Sequence, residues 1–225
     1  MMASCNICGN AEFKPAPFGR FSSSGQPPVC TKCGSLERHR ICRSIIGTIR
    51  DPSFKSKVCL QFSVDPSVAS GWFERHELSR YGGPDSIDVQ HIDRPDESID
   101  VVVCNHVLEH VKDDRLAIQN LVRINKPDGF VFLSFPNPYR RAVTEDWGYP
   151  KREQHNHYRV FGRDIERIFE GIIPHVHVIW VEGTDPATQE IDGAYILTSS
   201  DKWLARIFER GVKGRICQIR RRGEN

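Results

Sequence analysis

The sequence predicts an α/β domain in which helices cover both faces of a mostly parallel sheet, with a small cysteine-rich segment in front of it. From residue 57 onward, apolar runs of strand length alternate with helical stretches. The run at 100–104 (Asp-Val-Val-Val-Cys) is apolar at every position after its first residue, which is typical of a strand buried on both faces of a parallel sheet. Strands that alternate with helices form βαβ units and hence a doubly wound sheet.

The overall composition sets the class of protein. The chain has 225 residues, of which 39% are hydrophobic and 27% charged, as in a globular protein with one main domain and a small appendage. No apolar run approaches the roughly 20 residues that span a bilayer, and residues 1–9 contain no signal-peptide core. We therefore expect no transmembrane segment and a cytoplasmic location, where closely spaced cysteines bind metal rather than form disulfides.

Four of the eight cysteines form two Cys-x-x-Cys pairs, Cys5 with Cys8 and Cys30 with Cys33, and each pair is followed by glycine. Two intervening residues allow one turn to direct both sulfurs at the same ion. Two such pairs complete a closed tetrahedral shell, which suits structural zinc. The intervening segment is rich in Pro, Gly and Ser, so it needs such a staple to be ordered. A redox-active dithiol and an iron–sulfur cluster remain alternatives.

The chain divides into three regions: a zinc-binding knuckle at 1–40, a main domain at 41–200 and a basic C-terminal helix or tail at 201–225. Ser35 is expected to cap the helix that joins the knuckle to the main domain. The predicted strands are 58–64, 100–104, 130–135, 175–181 and 194–198, and the predicted helices are 67–76, 113–125 and 162–171. In a doubly wound sheet, ligands bind at the carboxyl ends of the strands.

Two stretches carry a more specific signal. Residues 100–115 read Asp-Val-Val-Val-Cys-Asn-His-Val-Leu-Glu-His-Val-Lys-Asp-Asp-Arg, and residues 121–136 contain Arg-Ile-Asn-Lys-Pro-Asp-Gly before an apolar run. Together they resemble the fourth strand, the Leu-Glu-His segment and the turn into the fifth strand of class I S-adenosylmethionine-dependent methyltransferases, which have a Rossmann-like fold. Here Asn125 replaces the usual leucine and Asp128 the first glycine. Residues 33–40 and 155–162 are also similar to a bacterial subgroup with an N-terminal zinc ribbon.

The resemblance implies that S-adenosylmethionine is the cofactor and places its site. Glu109 and His110 are expected mainly to orient the loop that follows the fourth strand. The residues expected to contact the cofactor are Gln61, Phe62, Ser63 and Asp65 after the first strand, Asp88 and Val89 near the adenine, and Cys104, Asn105 and His106 near the methionine end.

The sequence departs from the family pattern after the first strand. Residues 60–67 contain no glycine, whereas family members have a Gly-x-Gly loop there; Ser63 and Asp65 are expected to take over its role. The acid that binds the ribose hydroxyls at the end of the second strand is not evident, and Glu77 is the nearest candidate. A catalytically degenerate relative is therefore an alternative.

The acceptor side is expected between the fifth strand and the next helix, where Asp146, His155, His157 and Tyr158 lie. Histidine and aspartate can act as a general base toward an alcohol. His106, Asp146 and His157 are therefore the candidate catalytic residues, and a small polar or sugar-type acceptor fits best. The alternative is a polar surface loop with a few histidines.

A second functional class is a scaffold or binding protein that uses the knuckle and the basic C-terminal segment. Residues 201–222 contain eight basic and two acidic side chains, which could bind an acidic partner. Nucleic-acid binding is disfavoured because the knuckle lacks interleaved aromatic and basic residues. A dehydrogenase is disfavoured because no Gly-x-Gly-x-x-Gly follows a predicted strand.

Overall fold

The computed structural model of the chain describes residues 3–220. Its helices are α1 (Glu37–Ile49), α2 (Asp114–Arg123), α3 (Ile165–Ile172) and α4 (Asp201–Glu209). Its strands are β1 (Phe13–Lys14), β2 (Val29–Cys30), β3 (Val58–Phe62), β4 (Arg75–Ser79), β5 (Ile99–Asn105), β6 (Asn125–Ser134), β7 (Glu145–Lys151), β8 (His157–Val160), β9 (His177–Thr184), β10 (Ile191–Thr198) and β11 (Lys213–Gln218). Within the described residues, no helix is both long and apolar enough to cross a membrane.

The centre of the fold is a seven-stranded sheet in the order β11-β9-β10-β6-β5-β3-β4. Strands β4, β3, β5 and β6 run parallel to one another, whereas β10 is antiparallel to both β6 and β9. β5 lies between β6 and β3 and is buried at all seven positions, as its continuous apolar sequence predicted. Two small antiparallel pairs lie outside the sheet: β1 with β2 in the cysteine-rich segment, and β7 with β8.

Helices cover both faces of this sheet. On one face, the apolar sides of α2 and α3 pack on the strands through residues such as Leu121 and Phe169. On the other face, α1 and α4 do so through residues such as Ile46 and Ile207. The predicted Rossmann-like, doubly wound fold is thus confirmed.

One predicted helix is wrong. The segment 67–76, expected to be helical, contains only a short 3-10 turn at Ser70–Trp72 before β4 begins. The two aromatic residues of this segment, Trp72 and Phe73, pack against different parts of the fold. Trp72 lies under the guanidinium groups of Arg43 on α1 and of Arg50 directly after it, and Phe73 stacks on Phe54 with 5.1 Å between ring centroids. These two neighbouring side chains pack against different partners, and the segment does not continue as a helix.

Two further expectations need correction. Ser35 does not cap α1: the capping position is Leu36, whose backbone N–H donates to Nδ1 of His39 at 3.2 Å. Ser35 is instead held at the cysteine cluster, with its Oγ 3.2 Å from the sulfur of Cys33. The C-terminal segment is a helix followed by a sheet strand, since β11 pairs with β9 along the sheet edge; Arg221 and Arg222 lie outside the described residues.

A buried arginine joins the knuckle to the main domain. The side chains of Arg40 and Asp185 are both fully buried, and the guanidinium donates to both carboxylate oxygens at 2.7 Å. The same guanidinium donates to the carbonyl oxygens of Ser35 at 2.7 Å and Pro28 at 2.9 Å. One side chain therefore fixes the backbone of the cysteine-rich segment to the loop between β9 and β10.

Gly129 is predicted to tolerate no side chain. A Cβ there would lie 2.2 Å from the carbonyl oxygen of Asp100 and 2.7 Å from Nδ2 of Asn125, which bridges the bulge between β5 and β6. We expect Gly129→Ala to lower the free energy of unfolding by about 1–3 kcal/mol through overpacking. Gly171→Ala is the matched control, because a Cβ there meets nothing within 4 Å and alanine favours the helix. Urea unfolding of both variants tests this, and equal stabilities would contradict it.

Candidate active site

A cavity of about 680 Å³ opens where β3, β4 and β5 end and the β7–β8 hairpin lies over them. Its volume falls within the range of small-molecule and cofactor sites, about 300–1,000 Å³, and it lies at the carboxyl ends of parallel strands, where such sheets bind ligands. The lining residues are Phe62, Ser63, Ser79, Tyr81, Ile87, His106, Val107, His110, Val111, Pro150, His155, Asn156 and Tyr158.

Backbone strain is concentrated around this cavity. Seven non-glycine residues in the described chain have a positive φ, and four of them line the cavity. These are Ser63 (φ 72°), His106 (φ 51°), His155 (φ 57°) and Asn156 (φ 61°). A non-glycine residue held in this region costs on the order of 1–3 kcal/mol, and such residues cluster at functional sites. The distribution therefore supports this cavity as the candidate functional site.

The loop after β3 is held by side chains in place of glycine. The Asp65 carboxylate accepts the backbone N–H of Ser67 at 2.8 Å, the hydroxyl of Ser63 at 3.1 Å and the amide of Asn105 at 3.2 Å. Asn105, at the end of β5, also donates to the Ser67 hydroxyl at 2.9 Å. These bonds fix the loop to the neighbouring strand and leave Ser63 at the cavity wall with a left-handed backbone.

His106 follows β5 directly and is paired with a buried acid. Its Nδ1 lies 3.0 Å from Oε1 of Glu109, and Glu109 is fully buried. Burial opposes ionisation of Glu109, but the hydrogen bond and the charge of His106 outweigh it and hold the pKa of the carboxyl below its ordinary value. In the neutral form of His106, a hydrogen bond from Nδ1–H to this carboxylate leaves Nε2 as the proton acceptor.

Two further histidines lie beside Glu109. The rings of His110 and His157 meet edge to face with 4.5 Å between centroids. The ligand atoms of Glu109, His110 and His157 all lie within 4.8 Å of one another. Burial lowers the pKa of His157, which favours a neutral imidazole with a free lone pair.

Arg159 fixes the hairpin that carries His157. Its guanidinium, almost fully buried, donates to the carbonyl oxygens of Val111 and Lys112 at 2.7 Å each and of Leu108 at 3.3 Å. It also donates to Asp146 at 2.8 Å. The hairpin and the turn after β5 are thus held together as one unit over the cavity.

The structure separates the residues expected at the cofactor site into three groups. Phe62, Ser63 and His106 line the cavity. Gln61, Asp65 and Asn105 form the hydrogen-bonded layer behind it, where Gln61 donates to the Asp65 carbonyl at 3.0 Å. The remaining residues are not in the lining: Cys104 and Val89 are buried in the core, and Asp88 is exposed and accepts hydrogen bonds from Gln90.

The candidate acid for the ribose does not reach the cavity, since Glu77 lies within β4 and pairs with Arg75 and Arg94. Asp146 is paired with Arg159 on the hairpin, also outside the lining. The sequence analysis gave Glu109 and His110 an orienting role; in the structure Glu109 is hydrogen-bonded to His106, and His110 also lines the cavity. The signal was present in the Glu-His dipeptide after the strand and the histidine at 157, but only the folded hairpin brings them together.

The four cysteines of the two pairs converge as expected. Cys5, Cys8, Cys30 and Cys33 form a group whose sulfurs all lie within 4.8 Å of one another, with 3.7 Å between Cys5 and Cys33 and 3.5 Å between Cys8 and Cys30. Such a group could hold a metal ion. The hydroxyl of Ser35 lies 3.4 Å from the Cys5 sulfur and is placed to donate to a thiolate.

Comparison with known proteins decides the family. Residues 47–172, more than half of the chain, match the family described as "Methyltransferase domain". The chain belongs to this family. The matched range contains β3 to β6 and the cavity between them, in agreement with the resemblance to class I methyltransferases carried by residues 100–136. It leaves out the cysteine group, so the zinc-ribbon subgroup stays a prediction.

Solved structures give further similarities to this methyltransferase domain. One is a SAM-dependent methyltransferase from Thermotoga maritima, described as a possible histamine N-methyltransferase, with 12% identity, coverage of 72% of this chain and 89% of that one, and a TM-score of 0.45. Another is a 1,6-didemethyltoxoflavin-N1-methyltransferase from Burkholderia thailandensis with bound S-adenosylhomocysteine, with 13% identity, coverage of 71% and 78%, and a TM-score of 0.44. No curated protein matches the chain significantly. At such low identity these similarities do not bear on the acceptor.

Proposed function

We propose that the protein is an S-adenosylmethionine-dependent methyltransferase that methylates a hydroxyl oxygen of a small polar or sugar-type acceptor. The observation that carries this proposal is the cavity at the ends of β3, β4 and β5, in which His106, backed by the Glu109 carboxylate, lies at the wall. Membership of the methyltransferase-domain family supports the reaction class. The oxygen acceptor rests on the polar, histidine-rich hairpin above the cavity.

The residues of the cavity fit the cofactor in volume and charge. When bound, S-adenosylmethionine supplies a methyl group attached to a positively charged sulfur. The sulfur is the leaving group and would keep the electron pair of the broken bond. Among the described lining residues there is no lysine or arginine to repel that charge, and no carboxylate to bind the ribose. Phe62 and Ile87 offer apolar surface, and Ser63 and Ser79 offer the polar contacts that an acid provides in other members; Asp88 and Val89 remain the proposed adenine contacts.

The acceptor hydroxyl would lose its proton to Nε2 of His106. Glu109 fixes the His106 tautomer from behind and stabilises the imidazolium that forms. Asp146 has a positioning role: its carboxylate pairs with Arg159, and Arg159 joins the hairpin to the turn after β5 by donating to the Val111 carbonyl. His157 lies on the same hairpin, next to His110. Most of the catalysis would come from positioning the acceptor in line with the methyl group.

The cysteine group is proposed to bind structural zinc. Four thiolates complete a tetrahedral shell with no open position, and a cytoplasmic location would keep them reduced. Purified protein should contain about one tightly bound zinc ion at the thiolates, and Cys8→Ser should release it. Cys217→Ser is the control, since this half-buried cysteine lies outside the group. Zinc content by atomic emission measures both; equal zinc loss from the two variants would contradict the assignment.

The basic C-terminal segment contributes largely to the domain itself. Of its basic residues, Arg206 pairs with Asp51, Lys213 with Glu182, Arg215 with Glu166 and Arg220 with Asp201. These cations are therefore partly neutralised in the fold. This supports the enzyme over a scaffold that relies on a basic tail, although an acidic partner for the segment remains a proposal.

The reaction is tested with methyl-labelled S-adenosylmethionine and a panel of monosaccharides, disaccharides and polyols. We expect transfer that depends on the acceptor and gives an alkali-stable methyl ether. Label found only on amines or on carbon when extracts are offered as acceptors would contradict oxygen methylation. Binding of S-adenosylmethionine without any transfer would favour the degenerate, non-catalytic alternative.

A further inference from the structure

The second group of metal-binding side chains in the described residues lies at the edge of the cavity. Glu109, His110 and His157 each direct one ligand atom into a region where these atoms lie within 4.8 Å of one another. The group is separate from the four cysteines and differs from them in chemistry, since it offers one carboxylate oxygen and two imidazole nitrogens.

Two buried polar atoms of this group have no hydrogen-bond partner. Oε2 of Glu109 and Nδ1 of His157 are both inaccessible to solvent and have no hydrogen-bond partner. Glu109 is fully buried, and its other oxygen is taken up by His106. Burying an ionised carboxylate is costly unless it is paired or coordinates a metal, so the second oxygen of Glu109 is a candidate ligand for a cation.

We propose that Glu109, His110 and His157 bind a divalent first-row transition-metal ion. Two imidazoles and one carboxylate form the 2-His-1-carboxylate set, which leaves open coordination positions. The four-cysteine shell, by contrast, is closed. The proposed ion is therefore one that can bind a substrate as well as the protein.

The surrounding structure holds these ligands in place before any metal binds. Glu109 and His110 form the 3-10 turn Leu108–His110 after β5, and His157 begins β8. Arg159, two residues further along β8, donates to the carbonyl of Leu108, the first residue of that turn, and to the carbonyl of Val111 directly after it. One buried guanidinium thus joins both parts of the site.

The site has a consequence for the acceptor, and this part rests on the proposed function. His110 lines the cavity, so an ion held there would be within reach of a molecule in it. An ion with open positions binds an acceptor through two neighbouring oxygens, as in a vicinal diol or a hydroxy-ketone. It would lower the pKa of the bound hydroxyl, whose proton passes to His106, and no change in the oxidation state of the metal is needed.

Metal binding is tested on the zinc-replete, full-length protein with Mn²⁺ followed by electron paramagnetic resonance and with Co²⁺ followed by calorimetry. We expect one ion per chain beyond the thiolate-bound zinc. His110→Asn should weaken binding at least 10–100-fold, the loss that removal of even an outer partner of a ligand causes. His110 is exposed, so this variant keeps the fold; His157→Asn and Glu109→Gln should behave alike.

His155→Asn is the matched control. His155 lies on the same hairpin, with its ring 6.0 Å from that of His157, but it is not part of the group. Failure of the wild-type protein to bind either ion, or equal affinity in His110→Asn and His155→Asn, would overturn the site. Calorimetry with S-adenosylhomocysteine on the same samples separates the two proposals. If S-adenosylhomocysteine binds but neither metal ion does, only the metal site is contradicted. If a metal ion binds but S-adenosylhomocysteine does not, only the proposed function is contradicted.

Discussion

Replacement of Arg40 by alanine is expected to lower the free energy of unfolding by about 3–5 kcal/mol, the usual cost of breaking a buried ion pair. The substitution leaves the Asp185 carboxylate buried without its partner. It also removes the donors to the carbonyls of Ser35 and Pro28. The knuckle should then detach from the main domain more readily and lose zinc at lower chelator concentrations.

Arg38→Ala is the control for this prediction. Arg38 lies two residues earlier in α1 and is exposed, and its loss should change stability by no more than about 0.5 kcal/mol. Urea unfolding at equal zinc content measures both variants. A loss below about 1 kcal/mol for Arg40→Ala would show that the ion pair does not connect the two parts.

The same ion pair predicts a dependence on pH. Burial raises the pKa of Asp185, but the hydrogen bonds from Arg40 and Thr188 outweigh this and place the pKa below its ordinary value. A depressed folded pKa stabilises the protein above the unfolded value of about 3.9, and this contribution is lost as the pH falls toward the folded pKa. The stability difference between wild type and Arg40→Ala should therefore narrow in acid.

Replacement of His106 by asparagine is expected to reduce the rate of methyl transfer about 10²–10⁴-fold, the usual contribution of a general base. Asparagine is chosen because the φ of 51° at this position is tolerated by asparagine more readily than by most residues. Affinity for S-adenosylhomocysteine should change little, because the loop after β3 is held by Asp65 and Asn105 rather than by His106.

His175→Asn serves as the matched substitution, since His175 is exposed in the turn before β9 and should keep full activity. Single-turnover rates with saturating acceptor give the comparison. Retention of more than about a tenth of the rate in His106→Asn would assign the proton transfer to another group.

Elements with strong periodicity could be predicted from the sequence. β5 was expected from its continuous apolar run and α2 from its apolar side. In the structure Asp113 caps α2 by accepting the backbone N–H of Leu116 at 2.9 Å. The convergence of the four cysteines followed from their spacing alone. For the two elements and for each Cys-x-x-Cys pair, the information is local, within a few residues of chain.

Elements that depend on distant contacts could not be predicted. The segment 67–76 was wrongly predicted as a helix, and it instead makes contacts to α1 and to Phe54 that are distant in sequence. β11 pairs with β9 at the edge of the sheet. The sequence of residues 213–218 has no hydrophobic pattern that predicts this strand. Glu109 and His157 are 48 positions apart, and only Arg159 and the hairpin bring them together.

The sequence predicted the location of the candidate site more accurately than the residues that line it. The ends of the first and fourth family strands do meet at the cavity, so Ser63 and His106 line it. Cys104 was included because it lies next to them in sequence, but strand alternation turns its side chain into the core. The left-handed backbone of Ser63 explains how a loop without glycine can still follow the cavity wall.

The central claim is that this cavity binds the methyl-donor cofactor, and the most direct test is calorimetric titration of zinc-replete protein with S-adenosylmethionine and S-adenosylhomocysteine. We predict one site per chain with micromolar affinity, about −8 kcal/mol. Asn105→Ala should weaken it about tenfold by freeing the loop that Asp65 and Ser67 hold. The absence of measurable binding of both ligands to the folded wild-type protein would contradict the account.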